Sequence, residues 1–207
     1  MSRVRVKICG LTRARDVQGA VAAGADLLGF VFAASPRQLS VSGAQALLGL
    51  VPPGVQRVAL FMDQGRDEVE RVLAALRFDL LQFHGNEDNA YCSSFGVPFV
   101  KAIAMGDAHQ SASAHATFPG AAALLLDSHA PGAAGGTGRA FDWSRARQLH
   151  GEIWLAGGLT AENVGQAISE ARPRAVDVSS GVERAPGIKD RQLMTDFIAA
   201  ARAAKTD

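Results

Sequence analysis

Cysteine is almost missing from this chain: two of 207 residues, Cys9 and Cys92, far apart and at no metal-ligand spacing with any histidine. One bridge between them stays open, but reduced thiols in a cytoplasm are the simpler expectation. An excess of charge is missing too. The 21 Lys and Arg balance 20 Asp and Glu, for a net +1, which leaves no electrostatic footprint for nucleic acid. No run approaches ~18 apolar residues, so no membrane-spanning helix is expected. The opening Ser2-Arg3-Val4 alternates at once, without the apolar core of a signal peptide. The chain has no GxxxxGK[ST] loop, no GxGxxG after a strand, no HExxH and no Gly-x-Ser-x-Gly elbow. Its five histidines, at 84, 109, 115, 129 and 150, offer no pair at two strand ends to hold a metal with carboxylates. Neither a metal nor a cofactor is expected.

What is present is 48% hydrophobic and 20% charged, the balance of a globular protein with enough chain for a sizeable core. Short apolar runs recur over 4–9, 26–32, 55–61, 80–84, 98–104, 122–127, 152–156 and 175–178. Runs that are apolar nearly throughout suit strands covered on both faces of a parallel sheet. Helical spacing follows most of them. Thr12 is placed to cap the first helix and Gly24 to end it; Ser42 caps the second, which Pro52-Pro53 stops. Asp67 opens the third, and Gly85-Asn86 start the fourth. Residues 105–120 are weakly periodic. Asp142 is placed to cap a helix burying Trp143 and Leu149, another starts near Ala161, and the last aligns Leu193, Phe197 and Ala201. Eight strand–helix units in one chain without a linker predict a single-domain α/β fold over 1–207, a (β/α)₈ TIM barrel. An open doubly wound sheet is the rival.

In such a barrel the strand ends share one mouth, where ligands bind. There the sequence places Cys9, Arg37, Gln82, His84, Asp127, the loop Gly135-Gly136-Thr137-Gly138, Gly157-Gly158, Asp177 and Ser179-Ser180-Gly181. Glycines after the last two strands let backbone N–H groups approach an anion, which points to phosphate; tight turns alone are the plainer account. Cys9 and Asp127, on strands one and six, could exchange protons with a substrate between them. The plainer account of Cys9 is a small buried apolar residue. Arg37 suits a carboxylate through its planar fork, or is a surface charge. His84 is more often structural, and Cys92, inside a helix, packs inertly. Lys7 shares a face with Cys9, at another depth of the barrel.

Taken together, Lys7-Ile8-Cys9-Gly10-Leu11, Gly29-Phe30, Ser35-Pro36-Arg37, Gln82-Phe83-His84-Gly85 and Leu126-Asp127-Ser128 resemble phosphoribosylanthranilate isomerases of tryptophan biosynthesis. So do Gly135-Gly136-Thr137-Gly138 with Phe141-Asp142-Trp143, and Leu155-Ala156-Gly157-Gly158-Leu159. The blocks from Asp177 to Glu183 and from Pro186 to Asp190 complete the set in the family's order. The resemblance implies an Amadori rearrangement of N-(5-phosphoribosyl)anthranilate to 1-(2-carboxyphenylamino)-1-deoxyribulose 5-phosphate. It implies Cys9 as the general base at C2 and Asp127 as the general acid at the ring oxygen. Arg37 is then expected on the anthranilate carboxylate, and Gly157, Gly158, Ser180 and Gly181 on the phosphate. Gln82, His84, Gly136 and Asp177 complete the expected substrate contacts. A free thiol ionises near ~8.5, within reach of neutrality. A carboxyl acting as acid must instead be kept protonated, by burial or by the charge of bound substrate.

A histidine-pathway phosphoribosyl isomerase shares this fold and chemistry but uses aspartates at both proton-transfer positions, against Cys9. A metal-dependent pentose-phosphate epimerase lacks its ligands. A non-catalytic phospho-ligand barrel would be expected to lose Cys9 or Asp127. The expectation is a cytoplasmic enzyme acting on a phosphorylated small molecule, monomeric by default, with no nucleic-acid or membrane partner.

Overall fold

Eight short strands that bury both faces can cover them by closing into a barrel, an inner wall facing itself and an outer wall facing helices. The computed structural model describes residues 3–105, 114–128, 143–149 and 151–204. Its strands are β1 (Arg5–Cys9), β2 (Leu27–Val31), β3 (Gln56–Phe61), β4 (Leu80–Phe83), β5 (Phe99–Ala104), β6 (Ala123–Asp127), β7 (Ile153–Leu155) and β8 (Ala175–Val178). They form a closed parallel barrel in chain order. Closure runs through β1 and β8, with Lys7 opposite Asp177, so the open-sheet alternative is excluded. The helices are α1 (Ala14–Ala23), α2 (Val41–Leu48), α3 (Arg66–Ala75), α4 (Asn89–Ser93), α5 (Val164–Ala171) and α6 (Arg191–Ala203). A 3-10 helix spans Trp143–Gln148. After β8 the chain makes a 3-10 turn, Ser180–Val182, and a small hairpin of β9 (Glu183–Ala185) and β10 (Ile188–Lys189). No helix among the described residues is long and apolar enough to cross a membrane.

Alternation along each strand separates two apolar clusters. Ile8, Phe30, Phe61, Phe83, Leu126 and Val178 point outward into the layer beneath the helices. Leu27, Val58, Leu80, Val100, Leu125 and Trp154 point inward and fill the lower barrel. Each such large side chain contributes roughly 1.5–3 kcal/mol when fully buried. β1 breaks the pattern, because its alternate residues Arg5, Lys7 and Cys9 are polar or reactive. Arg5 lies over the Trp154 ring at 5.3 Å and donates to Gln56. Lys7 is fully buried above it. The interior therefore runs from an apolar base through a charged middle to an open mouth.

Several expected helix starts shift, each for a local reason. Thr12 does not cap α1, because its hydroxyl donates to the Gly187 carbonyl at 2.5 Å. Arg13 flanks the helix instead and forks onto Asp16. Ser40, not Ser42, caps α2, accepting from the Gly43 amide. α3 opens at Arg66, with Asp67 in its first turn. α4 starts at Asn89 rather than at Gly85-Asn86: Asp88 accepts from the Tyr91 amide, while Glu87 holds the Gly85 and Asp63 amides in a preceding loop. In α6 the inward residues are Met194, Phe197 and Ala201, and Leu193 is exposed. Trp143 is buried as expected and Leu149 partly so, whereas Asp142 lies outside the described residues. Gly24 ends α1 in the left-handed conformation, as expected.

Candidate active site

The strand ends enclose a cleft of about 600 Å³ at the barrel mouth. Cys9, Arg37, Gln82, His84 and Asp127 all line it. So do Gly157, Gly158, Asp177, Ser180 and Gly181. Of the site residues read from the sequence, only the loop Gly135-Gly136-Thr137-Gly138 is not among them; it lies outside the described residues.

One wall is built by β1, β2 and β8. Cys9, the last residue of β1, pairs in register with Gly29 of β2. A Cβ at Gly29 would sit 2.7 Å from Cys9 Sγ and 3.1 Å from Lys7 Nζ, so only glycine lets thiol and ammonium converge there. Lys7 Nζ also donates to Asp177 Oδ2 at 2.8 Å, with both side chains nearly or wholly buried. Burial alone would lower the Lys7 pKa, but Asp177 and Cys9 hold it above the ordinary value. Burial pushes the Cys9 thiol above its ordinary 9.0, with Lys7 pulling it down and Asp177 pushing it up. Asp177 Oδ1 is buried and has no hydrogen-bond partner among the described residues.

The facing wall comes from β4 and β6. Asp127 ends β6, and its Oδ2 lies 3.3 Å from His84 Nε2. The other ring nitrogen is 3.2 Å from Gln82 Nε2. With that amide as donor, the imidazole proton sits on Nε2 and faces the carboxylate. The His84 side chain is 25% exposed, so this wall is open to the cleft.

A third side is bare backbone. Gly157 and Gly158 follow β7 in left-handed conformations, φ 84° and 65°. A Cβ at Gly157 would strike Ser128 and lie 2.6 Å from Asp127 Oδ1; one at Gly181 would strike the Leu159 carbonyl oxygen. Asn163 braces this loop, donating to the Gly158 carbonyl and accepting from the Thr160 amide. Loops after strands seven and eight are where this architecture commonly takes phosphate.

Arg37 reaches the cleft rim already partnered. Its fork grips Glu183 at 2.8 and 2.6 Å, and Lys189 Nζ binds the same carboxylate at 2.7 Å. Burial alone would raise the Glu183 carboxyl, yet Arg37 and Lys189 hold it below 4.5. Burial lowers the Lys189 ammonium, with Glu183 opposing. Sequence reasoning passed over Lys7, Glu183 and Lys189 as site residues. The available signal was a lysine on an otherwise buried strand two residues before Cys9. Cys92 is buried in α4 with its thiol pushed up to about 12 by burial, which fits inert packing. Both cysteines are free, so no bridge joins them. No group of three or more His, Cys, Asp or Glu among the described residues is placed to hold a metal.

Residues 6–200 match the family model for N-(5'-phosphoribosyl)anthranilate (PRA) isomerase. The chain is 50% identical over 202 residues to the N-(5'-phosphoribosyl)anthranilate isomerase of Thiobacillus denitrificans, covering 97% of this chain and 98% of that protein. It superposes on the phosphoribosyl anthranilate isomerase from Thermotoga maritima with a TM-score of 0.85 at 34% identity, covering 96% of this chain and 98% of that one. A second isomerase structure, in complex with reduced 1-(o-carboxyphenylamino)-1-deoxyribulose 5-phosphate, matches with a TM-score of 0.81 at 33% identity, covering 96% and 98%. The chain therefore belongs to the N-(5'-phosphoribosyl)anthranilate isomerase family, and its activity is that isomerisation, a step of tryptophan biosynthesis.

Proposed function

We propose that Cys9 is the general base and Asp127 the general acid of this isomerisation. The observation that carries the reading is their placement: the two residues end β1 and β6 and face one cleft from opposite walls. Asp127 gives its proton to the furanose ring oxygen as the C1–O bond opens, and the nitrogen lone pair forms a C1=N iminium. The Cys9 thiolate then takes the C2 proton, and the released electron pair forms C1=C2 and neutralises the nitrogen. Ketonisation at C2 returns a proton to C1, giving the ketose amine. Each transfer needs a positioned group within hydrogen-bond reach and contributes typically 10²–10⁴-fold in rate.

The bare backbone at Gly157, Gly158, Ser180 and Gly181 takes the phosphate, and Arg37 takes the anthranilate carboxylate from its anchor on Glu183. Gln82, His84 and Asp177 shape the space between. The test generates phosphoribosylanthranilate in place, adds the protein without metal and follows loss of the anthranilate-type fluorescence. Decay that disappears in Cys9→Ala and in Asp127→Ala supports the pair. Decay surviving Cys9→Ala moves the base elsewhere, with His84 next to examine.

We also infer a cytoplasmic monomer with residues 1–207 forming one domain. Leu193 is the exposed large apolar side chain among the described residues, too little for the ~1,200 Å² of a stable interface. One solved relative is named as monomers of a dimeric isomerase from Thermotoga maritima, so sedimentation of this chain decides the point.

A further inference from the structure

Two charges are buried where the barrel closes, and neither proton-transfer role uses them. Lys7 has no solvent contact, yet an ammonium inside a protein is costly unless paired. Its pairing is incomplete as a structural device. Asp177 Oδ2 takes one of its three protons at 2.8 Å, while Asp177 Oδ1 is left buried with no hydrogen-bond partner among the described residues. The ammonium also converges with Cys9 Sγ on the space left open by Gly29. A purely structural ion pair gains nothing from a neighbouring thiol or from the missing side chain between them.

We propose that Lys7 is a positioning residue for the C2 proton transfer, held by Asp177 beside Cys9 as the fixed counter-charge of the thiolate. This rests on Cys9 being the base. A thiolate formed in a dry site would lose the solvation that stabilises it in water, and a preorganised cation replaces that solvation without reorganising. The other charged groups near Cys9 are Asp177 on β8, Lys189 on β10 and Arg37 after β2. Of these, Lys189 and Arg37 are both held by Glu183. That leaves Lys7 as the cation spent on Asp177 and Cys9. Asp177 has two opposed effects: it fixes Lys7 in place and partly cancels its field at the sulfur. The direction of the thiol's response to each charge is consistent with that division, down for Lys7 and up for Asp177.

The opposition supplies the test. In a Cys92→Ala background, the rate of iodoacetamide alkylation against pH reports the Cys9 thiolate alone. Lys7→Met is expected to slow alkylation at a given pH about tenfold and to move the acid limb of kcat/KM upward. Asp177→Asn is expected to speed alkylation. The double variant Lys7→Met with Asp177→Asn removes both buried charges, so it folds even if Lys7→Met alone does not. It should still alkylate more slowly than the parent. Alkylation unchanged in Lys7→Met, or in the double variant where the single does not fold, would overturn the proposal. So would singles that both shift the same way, as a loss of packing predicts. Full turnover in Cys9→Ser would instead sink the base assignment, whatever the alkylation rates show.

Discussion

The two walls that face each other across the mouth solve opposite problems. The Cys9 wall is charged: Cys9 is 6% exposed, and a buried Lys7–Asp177 pair lies next to it. At the Asp127 wall the carboxyl is about as covered, 8% exposed, but its neighbour is a part-exposed imidazole that an amide orients. Removing a proton from carbon needs a base that water does not compete with, and dryness strengthens every charge around it. The contrast teaches that one cavity can give two similarly covered groups different partners, a buried ion pair for one and an imidazole for the other.

Removing either proton carrier breaks the comparison most severely. Cys9→Ala and Asp127→Asn should each lower kcat by about 10³-fold with far smaller changes in KM. Single-turnover rates check this. Next in size are a wedge in the Cys9 wall and one in the bare-backbone side. Gly29→Ala puts a methyl group between Sγ and Nζ, and should cut kcat by about 10-fold or more while phosphate affinity holds. Gly181→Ala forces a methyl group onto the Leu159 carbonyl, so it should raise the inhibition constant of a substrate-like phosphate and lower Tm. If Gly29→Ala instead weakens phosphate binding and spares kcat, the division of labour between the walls is wrong.

How much of this was legible beforehand depended on sequence separation. Strand ends are local, so Cys9, Asp127, Gly157-Gly158 and Ser180-Gly181 could be placed at one mouth once eight units were counted. Lys7 and Asp177 are 170 positions apart and meet only because β8 closes onto β1. Arg37 and Glu183, 146 apart, meet only because the β9–β10 hairpin folds over the rim. Pattern within a strand cannot report a partner across the closure. The helix errors were different, because competing partners decided them. Thr12 is taken by Gly187, and Met194 displaces Leu193 by packing its end onto the notch at Gly19 of α1. Each of those depended on a neighbour from elsewhere in the chain.

The smallest effect sharpens the comparison at the rim of the Cys9 wall, where Arg37 and Lys189 share a brace. Glu183 joins Arg37 to Lys189, and its pKa in the folded protein lies below the 4.5 it would have unfolded. A depressed carboxylate adds stability that is fully present above the unfolded value and is lost as pH falls through the folded one. Glu183→Gln should therefore lower Tm by a few degrees at neutral pH and leave the difference from the parent shrinking below pH 4.5. Because Arg37 and Lys189 then lack their shared anion, KM should rise while the Cys9 alkylation profile shifts only slightly, since Lys7 is held elsewhere. A large alkylation shift in Glu183→Gln would mean that the rim charges, rather than the buried pair under Gly29, set the thiolate.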